Sequence, residues 1–306
     1  MNDVPELTPE EIQARVLHRD GLMLVIDKPA GLPVHRGPKG GPNLETSFDA
    51  LRYGLPRPPV LAHRLDRDTS GCLVLGRHRK ATASLGLLFK HGRISKTYWA
   101  VVDGGPVEDE GTIDLPLGRL NVERGWWQKV DPDGQPSMTK WRVMGRSSSL
   151  KTEPPTPDPL SASSRRGPPH EECVGGGERA AFSPLPPLGG EGSGVGGDKA
   201  VALTDPISSQ LTWLAMEPIT GRTHQLRVHC AAMGWPIIGD SIYGHDAVAR
   251  RARNESFVLK PGDPTLHLHA REIVIPISRN KEPVRVQAPA PEHLHARLRA
   301  CGWDGV

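Results

Sequence analysis

Cysteine is scarce in this 306-residue chain: Cys72, Cys173, Cys230 and Cys301 stand far apart, and none forms a CxxC or a Cys/His pair at zinc-ligand spacing. That excludes a disulfide framework and a zinc knot, and it suits a reducing compartment. Long apolar runs are missing too. None approaches the roughly 20 residues of a membrane span, and the opening MNDVPELTPEEIQARVL carries acids and no apolar segment. A soluble, unexported, cytoplasmic protein is expected. Neither sign of charge dominates, since 38 Lys and Arg against 35 Asp and Glu leave a net of +3 and a pI near 8.7. An anionic partner is tolerated, but the dense positive field of an obligate DNA-coating protein is excluded.

Glycine and proline are abundant instead, at 34 and 31 residues, and unevenly placed. Between residues 147 and 206, ten prolines and ten glycines fall in sixty positions with Phe182 as the lone aromatic. Such a composition buries too little apolar surface to offset its own ordering, so a disordered insertion is expected there. On either side, TKWRVM (139–144) and LTWLAMEPI (211–219) alternate and read as strands, partners in a hairpin that the insertion interrupts. Loop-closure entropy grows only logarithmically with length, so this interruption is thermodynamically modest. Residues 192–197 fit GxGxxG, yet no strand leads in and no helix follows, so flexible linker is the better reading than a dinucleotide site.

Thr8, with Pro9 and the acids Glu10 and Glu11 ahead of IQARVL, marks a helix start, and residues 1–20 are expected to form a short helical extension. LMLVI (22–26) reads as a buried strand that stops at Lys28-Pro29-Ala30-Gly31. A second strand is expected over 72–76, a helix over 80–91 and a third strand over 95–102.

Polar residues crowd between these apolar segments in three places: 27–36, 63–71 and 221–229. Beside a core, polar groups need partners or a task. In HRLDRDTSG (63–71), Asp66 and Asp68 alternate with Arg64 and Arg67 just ahead of the apolar CLVLG. Asp68, Thr69 and Ser70 are also good turn formers, so the residues alone leave a plain structural loop open. Histidines flank Arg227 at His224 and His229, and His267 lies two residues from His269, but neither spacing matches HExxH or a zinc ribbon. No metal and no cofactor are expected.

AHRLDRDTSGCLVLGR (62–77) resembles the signature of the RluA-type pseudouridine synthases, enzymes that isomerise uridine in RNA. DKPAGLPVH (27–35), SKTYWAVV (95–102) and GRTHQLRVHCAAMGWPIIGDSIYG (221–244) resemble the same family in the same order. LHLHAREIVIPI (266–277) and EPVRVQAPAPEHL (282–294) follow its closing pattern more loosely. The resemblance implies an α+β fold: a mixed, mainly antiparallel sheet with flanking helices and an active-site cleft across its middle. It implies Asp66 as the catalytic aspartate, Tyr98 as the aromatic packing on uracil, and Arg227 as the cation that keeps Asp66 ionised. Arg64 resembles the residue that fills the space left by a flipped base, with a phosphate contact as the other reading.

A carboxylate suits the chemistry, which breaks a glycosidic bond, turns the base and rejoins it through carbon. Attack on the ribose and elimination both remain open at this point. Lys28, His63, Arg222 and His224 complete the expected RNA-contacting set, and His35, Arg36, Lys39, Lys90, Arg93 and Lys96 are candidates to attract phosphate along the path. One catalytic domain over 21–146 and 207–300, acting as a monomer on ribosomal or transfer RNA, with no membrane and no obligate protein partner, is the expectation. An RNA-binding module that has lost catalysis and a base-excising hydrolase are the alternatives.

Overall fold

A computed structural model of the chain describes residues 6–36, 40–120, 126–147, 210–253, 265–277, 280 and 282–305. Lys39, the GxGxxG run and, beyond Ser147, the rest of the expected 147–206 insertion lie outside the described residues.

Thr8 caps helix α1 (Pro9–Ala14) through a reciprocal box: its hydroxyl accepts from the Glu11 N–H at 3.2 Å, and the Glu11 carboxylate accepts from the Thr8 N–H at 2.8 Å. The reading of IQARVL as continuous helix is corrected here. Helix stops at Ala14, and strand β1 (Val16–Arg19) pairs antiparallel with β2 (Met23–Lys28). So short a helix cannot sustain itself. Sheet pairing, begun where the Asp27 N–H donates to the Arg15 carbonyl at 2.8 Å, decides the conformation from Val16 onward.

A 3-10 helix (Leu44–Leu51) and the short β3 (Val60–Leu61) lead to β4 (Ser70–Gly76), and α2 (Arg79–Lys90) returns the chain to β5 (Ser95–Asp103). Next come β6 (Glu110–Asp114), the paired β7 (Leu117–Arg119) and β8 (Gln128–Val130), and β9 (Met138–Arg146). After the insertion follow β10 (Leu211–Pro218), α3 (Gln225–Ala232), α4 (His245–Ala252), β11 (Leu268–Ile275), β12 (Val284–Gln287) and α5 (Glu292–Ala300).

Among the described residues, one sheet runs β1-β2-β4-β11-β5-β10-β9-β6, with β3 beside β4 and β12 beside β11. β4 and β11 are parallel and the other pairs antiparallel, so the fold is α+β on a mixed, mainly antiparallel sheet. The strands expected on either side of the insertion are indeed neighbours. β9 and β10 pair antiparallel, and the Ser147 N–H reaches the Leu211 carbonyl at 2.8 Å where they meet the insertion.

Alternation along the strands builds two layers. Leu24, Ile26, Leu73 and Leu75 pack under Ile12 of α1 and Leu44, Phe48 and Leu51 of the 3-10 helix, while Met23, Val25, Cys72 and Val74 face Leu85 of α2. At the other end of the sheet, Ala100, Val102, Leu214 and Met216 lie against Leu226 and Cys230 of α3. Trp99, Val101, Trp213 and Ala215 lie against Leu294 and Leu298 of α5. Tyr98 of β5 packs against both the α1 cluster and the α3 cluster, and so marks the seam between them. A cleft opens at this seam, over the middle strands.

Candidate active site

Asp66 sits on the loop from β3 to β4, and three contacts hold that loop. His63 Nε2 accepts the Val74 N–H at 3.0 Å, and its ring stacks on Phe89 at 4.3 Å between centroids. Burial first, then the charge of Lys96, lowers the His63 pKa to about 3, so this imidazole stays neutral and keeps its acceptor. Lys28 is the third anchor. Its ammonium is fully buried at 0 % exposure and donates to the carbonyls of Pro29, Arg67 and Thr69 at 2.7, 2.8 and 2.9 Å. Burial pulls its pKa down to about 7 against the opposing charges of Asp68, Asp66 and Asp27.

Lys28, expected on the RNA, is turned inward instead: two of its hydrogen bonds go to the loop that carries Asp66 and the third to the neighbouring Pro29. Gly71, at the start of β4, has φ +104°, and a Cβ there would collide with the Ala270 backbone of β11.

On the far side of the cleft, α3 is buried from Gln225 to Cys230. Gln225 fixes its start. The side-chain carbonyl accepts from the Thr220 hydroxyl at 2.7 Å and the Arg222 N–H at 3.0 Å, while its amide donates to the Met138 carbonyl and Thr139 Oγ1 at 2.9 and 3.0 Å. His224, just before the helix, takes a left-handed φ of 54°, uncommon away from glycine. His229, one of the flanking histidines, is occupied structurally between Thr139 Oγ1 at 2.9 Å and the Leu115 carbonyl at 3.0 Å.

His63, Arg64, Asp66, Tyr98, Arg222, His224 and Arg227 all line one cleft of about 630 Å³, together with Lys90 and Lys96. Lys28 is absent from it, as are His35, Arg36 and Arg93 of the phosphate candidates. The Asp66 carboxylate retains 24 % of its side-chain surface, and its Oδ2 lies 3.8 Å from His224 Nε2 and 3.9 Å from Arg227 Nη1. Burial and the neighbouring Asp66 charge raise the Tyr98 pKa, so its phenol is held neutral. Arg64 is exposed at the rim, and Arg222 is exposed with its Nε on the Pro136 carbonyl at 3.2 Å.

Arg227 has a partner that sequence reading missed. Its Nε and Nη2 bind Asp240 Oδ2 and Oδ1 at 2.8 and 2.7 Å, and Asp240 Oδ1 also accepts the N–H groups of Ile242 and Tyr243, both at 2.9 Å. Burial opposes charge on both side chains, but the mutual hydrogen bonds outweigh it, lowering the Asp240 pKa and raising that of Arg227. Tyr243 packs under the guanidinium at 5.4 Å and hydrogen-bonds His224 Nδ1 at 2.8 Å. Both residues stand in GDSIYG, within a segment that carried the resemblance, but their sequence positions held no sign of where their side chains would point.

The family profile described as RNA pseudouridylate synthase matches residues 22–232. The chain belongs to that family. This pseudouridine synthase, an isomerase of the RluA type, is 32 % identical over 280 residues to an uncharacterized RNA pseudouridine synthase of Zymomonas mobilis, covering 91 % of this chain and 94 % of the relative. It is 30 % identical over 307 residues to the ribosomal large subunit pseudouridine synthase D of Xanthomonas campestris, covering 97 % and 72 %. Among solved structures it resembles human RNA pseudouridylate synthase domain containing 4, with a TM-score of 0.59 at 22 % identity over 95 % of each chain. That likeness supports the fold. In this pseudouridine synthase, no helix among the described residues is long and apolar enough to cross a membrane, and no group of three or more His, Cys, Asp or Glu side chains among them is placed to hold a metal ion.

Proposed function

We propose that this enzyme isomerises particular uridines of ribosomal or transfer RNA to pseudouridine, with Asp66 as the group that reacts at the ribose. The observation that carries the reading is a part-exposed carboxylate on a cleft wall with two nitrogens, Arg227 Nη1 and His224 Nε2, within 4 Å of one of its oxygens.

Asp66 either bonds to the ribose as the bond to uracil N1 breaks, or removes a ribose proton to drive elimination. The freed base turns and carbon 5 bonds to the ribose, as the bond to Asp66 breaks in the first route or as Asp66 returns the ribose proton in the second; the proton on carbon 5 is lost and N1 gains one, so the product has the atoms of the substrate. Tyr98, neutral at the seam, offers a flat apolar face for the turning base. Arg64, exposed at the rim, enters the space the flipped nucleotide leaves. Arg64, Arg222 and Lys96 draw phosphates to the cleft. The name of the Xanthomonas relative places that protein on the large ribosomal subunit, which makes ribosomal RNA the first substrate to test here.

The test is pseudouridine mapping on total RNA from cells lacking the gene and cells complemented with wild type or Asp66→Asn. A modified position lost with the gene and restored only by wild type supports the reading and names the RNA. Restoration by Asp66→Asn removes the role of Asp66. If purified enzyme also leaves transcribed RNA unmodified while still binding it, the protein is a binding module.

A further inference from the structure

The main-chain N–H of Gln128, on β8, donates to the Tyr243 hydroxyl at 2.9 Å. A backbone N–H can only donate, so the hydroxyl accepts there and keeps its own hydrogen to give, for which His224 Nδ1, at 2.8 Å, stands as the acceptor within reach. A neutral imidazole whose Nδ1 accepts carries its hydrogen on Nε2, and His224 Nε2 faces Asp66 Oδ2 at 3.8 Å. His229 shows the same logic put to a structural use: Gln225 donates to the Thr139 hydroxyl, that hydroxyl meets Nδ1, and Nε2 ends on the Leu115 carbonyl at 3.0 Å. At His224 the chain ends instead on the carboxylate of the cleft, outside hydrogen-bond reach until something draws the groups together.

We propose that His224 is a positioning residue: Tyr243 locks it as the Nε2–H tautomer, and with Arg227 Nη1 it holds Asp66 Oδ2, so that Oδ1 is the oxygen presented to the ribose. This rests on the reading of Asp66 given above. Both donors approach the same oxygen, at 3.8 and 3.9 Å. A neutral donor suits the task, because it orients the carboxylate without the second positive charge that would hold it back from the ribose. The left-handed φ at His224 is strain that the neighbouring bonds of Gln225 and Tyr243 keep in place. Around the ring stand Asp66 and Asp68 from the β3–β4 loop, Arg227 from α3, Asp240 and Tyr243 from the turn before α4, and the indole of Trp126 ahead of β8. Burial keeps the imidazole neutral against the pull of the acids.

Two measurements on the full chain test this. Imidazole nitrogen shifts, assigned by comparison with His224→Gln, should show a hydrogen on Nε2 and none on Nδ1. A hydrogen on Nδ1 would overturn the proposal, and this readout does not depend on any variant being active.

Turnover should also separate two substitutions of similar size. Gln places an amide N–H where Nε2 stood and should stay within about tenfold of wild-type kcat, whereas Asn places it near Nδ1 and should lose about a hundredfold or more at little change in KM. Tyr243→Phe removes the donor that favours the neutral ring, so the acid limb of kcat should move to higher pH. Equal losses for Gln and Asn in folded protein, or an acid limb unmoved in Tyr243→Phe, would also overturn it. Asp66→Asn is assayed alongside, because turnover by that variant would remove the underlying reading of Asp66 whatever tautomer His224 holds.

Discussion

Arg227 is clamped at 2.8 and 2.7 Å on Asp240, while its remaining nitrogen, Nη1, stands 3.9 Å from Asp66. The guanidinium is 2 % exposed and the Asp240 carboxylate fully buried, so the cation that faces the Asp66 carboxylate is itself neutralised from behind. Asp66 thus meets a guanidinium aimed at it but already satisfied, which orients the carboxylate without seizing it.

Asp240→Ala leaves that guanidinium buried without its counter-ion and should destabilise the fold by about 3–5 kcal/mol. The pair is coupled, so Asp240→Ala with Arg227→Met should be markedly less unstable than the two single effects added together. Urea unfolding of the four proteins of the cycle measures this. Strict additivity would show that the clamp holds nothing.

Arg64 and Lys28 were both expected on the RNA, and the structure separates them. Arg64→Ala should keep wild-type stability, weaken RNA binding and reduce the slope of log affinity against log salt by about 1. Lys28→Met leaves three carbonyls without their donor and should cost about 3 kcal/mol or more of stability. Filter binding across a salt series and thermal melts distinguish the two. Full stability in Lys28→Met would contradict the anchoring role.

Asp27 gives the fold a pH dependence. Burial raises its pKa from 3.8 to about 6, against the opposing charges of Arg15 and Lys28. Below pH 3.8 the carboxyl is neutral in both folded and unfolded chains and adds no penalty. As pH rises to 6 the unfolded chain ionises first, so stability is lost across that window, by about 3 kcal/mol once it is complete. Asp27→Asn lacks this term. Its unfolding free energy relative to wild type should climb by that amount between pH 4 and 6 and then level off, and a difference independent of pH would refute the assignment.

Where the insertion leaves the sheet, the Leu211 N–H donates to Ser147 Oγ at 2.8 Å, beside the main-chain bond between the same two residues. Replacing residues 149–208 with a tight turn should keep turnover within about twofold and raise stability by up to about 2 kcal/mol through the shorter closure. Activity lost in a folded, shortened protein would give the insertion a part in RNA binding.

The apolar runs were legible because buried strands need little else: LMLVI and CLVLG became β2 and β4 side by side in register. TKWRVM and LTWLAMEPI were legible as partners for the same reason. β1 was not, because IQARVL satisfies a helical period as well as an edge strand, and only a neighbour decides between them. Asp66, Tyr98 and Arg227 stood out through the motifs around them. Asp240 and Tyr243 did not, since a turn residue and a tyrosine in GDSIYG look like local structure until the chain folds back on itself.

By itself, then, the order of residues showed mixed α and β content and the interruption at the hairpin, through local period and composition, which act along the chain. The α+β sheet and the identity of the groups in the cleft were legible through the resemblance that its motifs carry. The direction of each polar group was decided by tertiary structure. Lys28 turned inward onto two carbonyls of a loop some forty residues away and that of its neighbour Pro29. His224 came to face Asp66 because a tyrosine nineteen positions later occupies its other nitrogen. A donor's partner is whatever lies within about 3 Å, and no reading along the sequence measures that distance.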